Sequence, residues 1–490
     1  MGHRGSAVLT VDEGPAPVFL RIAKSIEEDV RRGRLRAGEA LPGARTLARS
    51  LGVNRNTVVA AYRELVAEGW VVARGGGGTF VADSLPEAPP RRWGRSARPA
   101  SLAADANFAL RRDGAPPLAA AYPRGTLVMA GGVPDMRLVP ARAIARALRG
   151  ALTHPGAIAA LGYGDPRGDE GLRTALAKMV RDKRGIPASR DDVLVTRGSQ
   201  MALELVARVV VPPGGVVVVE GLGYRPAWAA FERAGARIVP SPIDEHGIDV
   251  RAVAAIARRE RVAAVYVTPH HQYPTTVTMA PGRRVALLEL AHRERLAIVE
   301  DDYDHELHYE ERPVLPLASA DTHGNVVYIG TLSKVLAPGL RLGYVVASGT
   351  VIEQLARERF VVDRQGDQIG ERAIAELIDD GTVARHVRRI RGVYAGRRDC
   401  LVALLKAAFG DRLDVSAPRG GMALWVGVRL PSAKVLRWEQ RALEEGVAFV
   451  AGERFACDEQ PVPFARFGFA PLDERQLREA VRRLARAFPE

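Results

Sequence analysis

Residues 329–344 read "IGTLSKVLAPGLRLGY". Two hydroxyl residues, Thr331 and Ser333, lead into Lys334, and Arg341 follows seven positions on. A lysine beside hydroxyls is ordinarily a solvated side chain, so its context has to carry the reading. Upstream, β-branched runs alternate with helical patterns. "DDVLVT" precedes "SQMALELVARVV", "GVVVVE" precedes "RPAWAAFERAG", "VAAVYVT" precedes "PGRRVALLELAHRER", and "LAIVED" follows. Short apolar runs of this kind are strands covered on both faces, and the longer patterns are the covering helices. The prediction is an α/β unit with a mainly parallel sheet.

A lysine that forms a Schiff base with pyridoxal 5′-phosphate needs four kinds of help. Donors hold the phosphate, an acid faces the ring nitrogen, a polar group faces the phenolic oxygen, and a flat side chain covers the ring. The sequence offers a candidate for each. "TRGSQMALEL" puts Gly198, Ser199 and Gln200 at a helix start after a strand, where N–H groups and the helix dipole favour a dianion. Thr331, Ser333 and Arg341 flank the lysine, and an arginine fork grips phosphate through parallel bonds. "AIVEDDYDHELHY" ends a strand in Asp301, with Tyr303 two residues on, and "EGLGYRP" supplies Tyr224 as a ring cover.

Each element has a plainer reading. "GSQ" serves equally as a helix cap. Seven acids lie between Glu300 and Glu311, and with His305 and His308 they admit a metal site or a solvated loop; their spacing fits no standard ligand set. His270 and His271 in "TPHHQYPTT" raise the same alternative. The joint occurrence at successive strand ends favours the cofactor, with no metal.

At 490 residues the chain exceeds one compact core, so two or three domains are expected. Its formal net charge of +13 reflects either arginine-rich codon usage or an anionic partner such as nucleic acid. Cys400 and Cys457, the two cysteines, form neither a disulfide framework nor a cysteine-based zinc motif. "MGHRGSAVLTVDEG" lacks a signal-peptide core, and no apolar run approaches the roughly 18 residues of a membrane span. A soluble, cytoplasmic protein with no membrane partner is expected.

Residues 1–82 read as a helical DNA-reading module. "PVFLRIAKSIEEDVRRG" places Phe19, Ile22, Ala23, Ile26 and Val30 at helical spacing, "ARTLARSLGV" is a second short helix ended by Gly52, and Asn54 caps a third. Val58, Tyr62 and Leu65 share the core face of that third helix. Arg55, Asn56 and Thr57 lie on its first turn, where a recognition helix meets base edges in the major groove. "WVVARGGGGTFVAD" is a hairpin with a glycine tip. Residues 83–125, rich in proline and arginine, are expected to be a linker. Residues 126–490 form the remaining domain.

"LPGARTLARSLGVNRNTVVAAYRELVAEGWV" with "RGGGGTFV" resembles the winged helix-turn-helix of GntR-type regulators. That resemblance implies operator DNA contacts from Arg45, Arg55, Asn56, Thr57 and the Gly75 to Thr79 wing, Gly77 and Thr79 included. "GYGDPRGDEGLR", "TRGSQMAL", "TPHHQYPTTVTM", "VEDDYDHEL" and "TLSKVLAPGLRLGY" resemble fold-type I aminotransferases in that family's order. This implies Lys334 as the Schiff-base lysine, Asp301 at the ring nitrogen and Tyr303 at the phenolic oxygen. It further implies Ser199, Gln200, Thr331, Ser333 and Arg341 at the phosphate, Tyr163 from a partner subunit, and Arg466 as the effector's carboxylate anchor.

The two modules in this order resemble MocR-type regulators, and "TPHHQYPT", "VEDDYDHEL" and "RHVRRIRGVYAGRRD" look characteristic of that branch. Two positions depart from its pattern. Thr276 replaces a glycine, so the turn there is expected to be built differently, and Leu222 replaces a proline before Tyr224, which is expected to shift that ring. The function implied is a head-to-tail homodimeric transcription regulator that binds double-stranded operator DNA and senses pyridoxal phosphate or an amine or amino-acid effector. Control of vitamin B6 or of amine metabolism fits equally. The alternatives are a working aminotransferase with an accessory DNA-binding module and, further off, a metal-dependent hydrolase.

Overall fold

The computed structural model describes residues 16–74, 78–85, 108, 122–309, 314–458 and 460–489. The chain divides into two compact units, Met1–Arg111 and Arg112–Glu490. Most of the expected linker, residues 83–125, lies outside the described residues, as do Gly75, Gly76 and Gly77 of the wing.

In the first unit α1 (Val18–Arg31), α2 (Ala44–Leu51) and α3 (Arg55–Ala67) are followed by β1 (Val71–Arg74) and β2 (Gly78–Val81), paired antiparallel. Ile22, Ile26, Leu47, Val58 and Leu65 are buried at their centre, as the helical spacing requires. Gly52 ends α2 at φ 65°, the left-handed conformation that glycine adopts without steric cost. The Asn54 side chain accepts from the N–H of Asn56 and so starts α3. Tyr62 fixes the angle between the two helices by donating its hydroxyl to Pro42 O at 2.6 Å.

The second unit is built on a seven-stranded sheet of β3 (Val193–Thr196), β4 (Val216–Glu220), β5 (Arg237–Ser241), β6 (Val262–Val267), β7 (Ala297–Asp302), β8 (Val326–Thr331) and β9 (Gly343–Val346). The strand order is β3-β9-β8-β7-β6-β4-β5. All pairings are parallel except those of β9, which runs antiparallel to β8 and β3. Side chains alternate between two cores with period two. Val216, Val218, Val265, Ile298 and Tyr328 enter one core, while Val217, Val219, Tyr266, Val299 and Ile329 enter the other. Burial on both faces explains why these strands read as unbroken apolar runs.

A smaller antiparallel sheet of β10 (Leu413–Asp414), β11 (Ala423–Val428), β12 (Val450–Ala451) and β13 (Phe464–Gly468) follows in the order β10-β11-β13-β12. Its core is Trp438, whose ring meets Phe409, Phe449, Phe467 and Phe488. No helix among the described residues is long and apolar enough to cross a membrane.

Candidate functional site

The C-terminal end of β7 carries three acids in a row, and strand alternation sends them to different sides. Glu300 accepts from the backbone N–H groups of Leu317 and Ala318 at 2.8 and 2.9 Å. Asp302 accepts from the Tyr328 hydroxyl at 2.8 Å and lies 2.9 Å from His305 Nδ1; against the cost of burial, His305 holds its carboxyl below the ordinary range. Asp301 faces the opposite way. Its Oδ2 accepts from the Tyr266 hydroxyl at 2.9 Å, and its Oδ1 is buried with no partner. Burial raises the Asp301 carboxyl to about 7.

Lys334 sits in the loop that turns β8 back into β9. The loop is closed by Leu332 N–H to Leu342 O at 3.1 Å and Leu336 N–H to Leu332 O at 2.8 Å. The lysine amine has no hydrogen bond or ion pair among the described residues. Burial and the nearby Arg466 guanidinium lower its pKa, while Asp304 and Asp301 oppose them.

Ser199 opens the helix α4 (Ser199–Val210) after Gly198, whose φ is 79°. A Cβ on Gly198 would come within 2.9 Å of the Arg341 guanidinium, and one on Gly343 within 2.6 Å of Gly198 itself. These glycines therefore let the helix start, Arg341 and β9 close up. Arg341 donates to Arg197 O at 3.0 Å. The Ser333 hydroxyl is buried and unpartnered, as is the Gln200 side-chain oxygen; Gln200 donates its amide to Pro226 O at 2.9 Å. The Thr331 hydroxyl donates to Leu342 O at 3.0 Å and receives the Ser333 N–H at 3.1 Å, which sets it at the base of the loop that carries Lys334.

Tyr224 caps the helix α5 (Arg225–Arg233), and burial lifts its hydroxyl to about 12. The Leu222 carbonyl accepts from Gln272 at 2.8 Å, and Leu222 pairs with Ala456 across an isolated bridge. The Tyr303 hydroxyl donates to His271 O at 3.0 Å. The turn at Thr276 is left-handed, at φ 63°, and is closed by Thr276 N–H to Gln272 O at 2.6 Å.

Arg466 lies on β13 and is 2% exposed, with Nε and Nη1 unpartnered. Its guanidinium carbon sits 4.7 Å from the centre of the Tyr273 ring. Two buried nitrogens without acceptors are costly unless an anion arrives. Tyr163 is 80% exposed and rests against Arg364 at 4.0 Å, outside this cluster. Among the described residues no group of three or more His, Cys, Asp or Glu could hold a metal ion. His271 and Asp304 pair at 2.8 Å instead, and the Asp304 charge holds the His271 pKa up against burial. Tyr266, the His271–Asp304 pair and Tyr273 escaped the sequence reading, although "TPHHQYPTT" marked two of those segments.

In the first unit Arg45 is exposed on the first turn of α2, Arg55 and Asn56 are exposed on the first turn of α3, and Thr57 is half-buried. Neither arginine forms an ion pair among the described residues. Thr79 is on β2, paired with Ala73, while Gly77 lies outside the described residues.

Residues 135–484 match the family model described as aminotransferase class I and II, and residues 19–81 match that of bacterial regulatory proteins of the gntR family. The chain is 30% identical over 97% of its length, and 94% of the relative's, to a probable rhizopine catabolism regulatory protein MocR of Rhizobium meliloti. Over 74% of its length it is 34% identical to an aromatic-amino-acid aminotransferase of Thermococcus litoralis, covering 88% of that protein. Among solved structures it is similar to the α-aminoadipate aminotransferase LysN of Thermus thermophilus, crystallised with N-(5′-phosphopyridoxyl)-L-leucine. That likeness has a TM-score of 0.69 and 31% identity over 74% of this chain and 92% of that one.

Proposed function

The chain belongs to the aminotransferase class I and II family and, joining that unit to a GntR-type helix-turn-helix, is a MocR-type DNA-binding regulator; from this we propose that it senses through pyridoxal 5′-phosphate. The observation that carries the reading is the Asp301–Lys334 pair: a buried carboxylate oxygen without a donor, and a lysine amine without a partner. The chemistry such a cofactor supplies is a condensing aldehyde on an electron-withdrawing pyridinium.

This chain's residues fit that group. Asp301 Oδ1 would accept the ring N–H, and burial favours the neutral amine of Lys334 that a carbonyl carbon would need. The Ser199 N–H, Gln200, the Ser333 hydroxyl and the Arg341 fork would hold the phosphate. Tyr224 would cover the ring. Arg466 takes the carboxylate of an amine-bearing effector, because its two bare nitrogens need one. Thr331 would join the phosphate donors and Tyr303 would face the phenolic oxygen, each turning its hydroxyl from the backbone carbonyl it now meets.

Arg45, Arg55, Asn56, Thr57 and the wing read double-stranded DNA, with the chain acting as a homodimer to which the partner's Tyr163 contributes. The exposed apolar side chains Ile158, Leu161, Tyr163 and Val361 support self-association. A ligand that binds two conformations with unequal affinity shifts their populations and hence DNA binding. The controlled genes concern supply of the cofactor or use of its amine ligands.

The test loads the full chain with pyridoxal phosphate and footprints the DNA upstream of its own gene with and without amines. Visible absorbance that Lys334→Ala abolishes, and a footprint that an amine alters, are expected. A colourless chain after loading overturns the reading. Because the similar aminotransferase suggests turnover, steady keto-acid production without a footprint would make catalysis the main activity.

A further inference from the structure

We propose that the effector is an α-amino acid with an aromatic side chain, received by Trp425, Phe455 and Tyr273. The proposal rests on the reading that Lys334 meets its amine and Arg466 its carboxylate. The argument begins with register. Trp425 on β11 lies directly opposite Arg466 on β13, and Val450 on β12 lies opposite it on the other side. Cross-strand partners share a face, so Trp425 and Val450 flank the guanidinium on the side it presents.

The next register pair along the same face is Ala423 with Gly468. Gly132 lies there too: a Cβ on it would come within 3.8 Å of Arg466 Nη2 and 3.3 Å of Met422. Along this face Ala423, Gly468 and Gly132, with Met422 against the last, lie to one side of Arg466, and Phe464, stacked on Trp425, lies to the other. A carboxylate can approach over the small side while a side chain extends toward the rings.

Those rings form a connected wall. Phe455 is 5.8 Å from Trp425 and 5.4 Å from Tyr273, at interplanar angles of 74° and 79°. Tyr273 is 5.6 Å from Tyr224 and 6.0 Å from Tyr303, at 81° and 87°. Trp425 has one face stacked on Phe464 at 5.1 Å and Tyr273 has the Arg466 guanidinium over its ring at 4.7 Å, so an incoming ring would meet the remaining face of each, backed by the buried Phe455, in the geometry the aromatic quadrupole favours. Trp425, Tyr273 and Tyr224 remain partly exposed, so apolar area at the wall is still uncovered. A dicarboxylic effector meets the wall less well. The Arg225 guanidinium already donates to the carbonyl of Ala456, the residue after Phe455, at 2.8 Å, and a second carboxylate would have to displace that carbonyl to use it.

The test titrates the loaded full chain with L-phenylalanine, L-alanine and L-2-aminoadipate, reading dissociation constants from calorimetry and from the visible spectrum. Phenylalanine is expected to bind about tenfold tighter than either of the others, the size of one to two ring contacts. Trp425→Ala is expected to lower phenylalanine affinity about fivefold more than alanine affinity, and Trp425→Leu, which keeps apolar bulk beside Phe464, to shift selectivity the same way. Equal affinities for the three amino acids, or equal losses for phenylalanine and alanine in both variants, overturn the proposal. Failure of the underlying reading looks different: Arg466→Met leaves phenylalanine affinity intact, or the loaded chain shows no visible absorbance.

Discussion

The Tyr266 hydroxyl donates to Asp301 Oδ2 at 2.9 Å, while Oδ1 of the same buried carboxylate has no partner. One donor half-satisfies the acid, and burial raises it from 3.8 to about 7. Between those values the folded chain holds a proton there that the unfolded chain has lost. The group's contribution to stability is therefore full below the unfolded pKa and falls as pH rises toward the folded one. Asp301→Asn removes this liability. The cofactor-free variant should melt a few degrees higher than the parent at pH 8, and the difference should vanish near pH 4. Its affinity for pyridoxal phosphate should fall at the same time. Calorimetric melts of both chains across this pH range check the sign; a variant less stable at pH 8 would contradict it.

The Arg341 guanidinium packs against Gly198 at the start of α4, where the proposed phosphate would lie, and its planar fork, beyond its charge, fits that space. Arg341→Lys keeps the charge and loses the paired bonds. Pyridoxal phosphate affinity should drop about tenfold, or ~1.4 kcal/mol, measured by absorbance titration. Circular dichroism should be unchanged, since the substitution touches no core side chain.

Much of this was legible in the sequence because it is periodic or local. The helices of the first unit followed from Ile22, Ile26 and Val30 at helical spacing, and from Gly52 and Asn54 at helix ends. The sheet followed from apolar runs that two-sided burial demands. The site was legible where a strand end displays its residue, as with Lys334 and Asp301. It was illegible where hydrogen bonds cross between segments. Nothing in "DDYDH" says that the Tyr303 hydroxyl will be taken by His271 O, or in "GTLSK" that Thr331 will be taken by Leu342 O. Tyr266 looked like core because its strand is core; parallel pairing of Val299 with Tyr266 brings its hydroxyl to Asp301. Arg466 came only from resemblance, since its neighbour Trp425 is on a separate strand.

Arg55 stands exposed on the first turn of α3 with no ion pair among the described residues. If it reads a base edge, Arg55→Ala should weaken binding to the footprinted sequence by about 1–3 kcal/mol. Binding to unrelated DNA should change much less. A loss equal on both sequences, with a salt dependence shallower by about one counterion, would make it a phosphate contact instead.

Thr276 holds φ 63° although it is β-branched, and its side chain makes no hydrogen bond among the described residues. Its neighbour Thr275 makes the local polar contacts, donating its N–H and hydroxyl to Gln272 Oε1 at 3.1 and 2.6 Å. The left-handed conformation costs an L-residue roughly 1–2 kcal/mol. Glycine there removes that strain, and its greater freedom in the unfolded chain costs back about 0.4–1 kcal/mol. Thr276→Gly should thus stabilise the chain by up to about 1.6 kcal/mol, seen as a higher denaturant midpoint at unchanged slope. Thr275→Val should destabilise it, because Gln272 Oε1 then loses its hydroxyl donor. Equal destabilisation by both changes would mean that Thr276 contributes through its side chain.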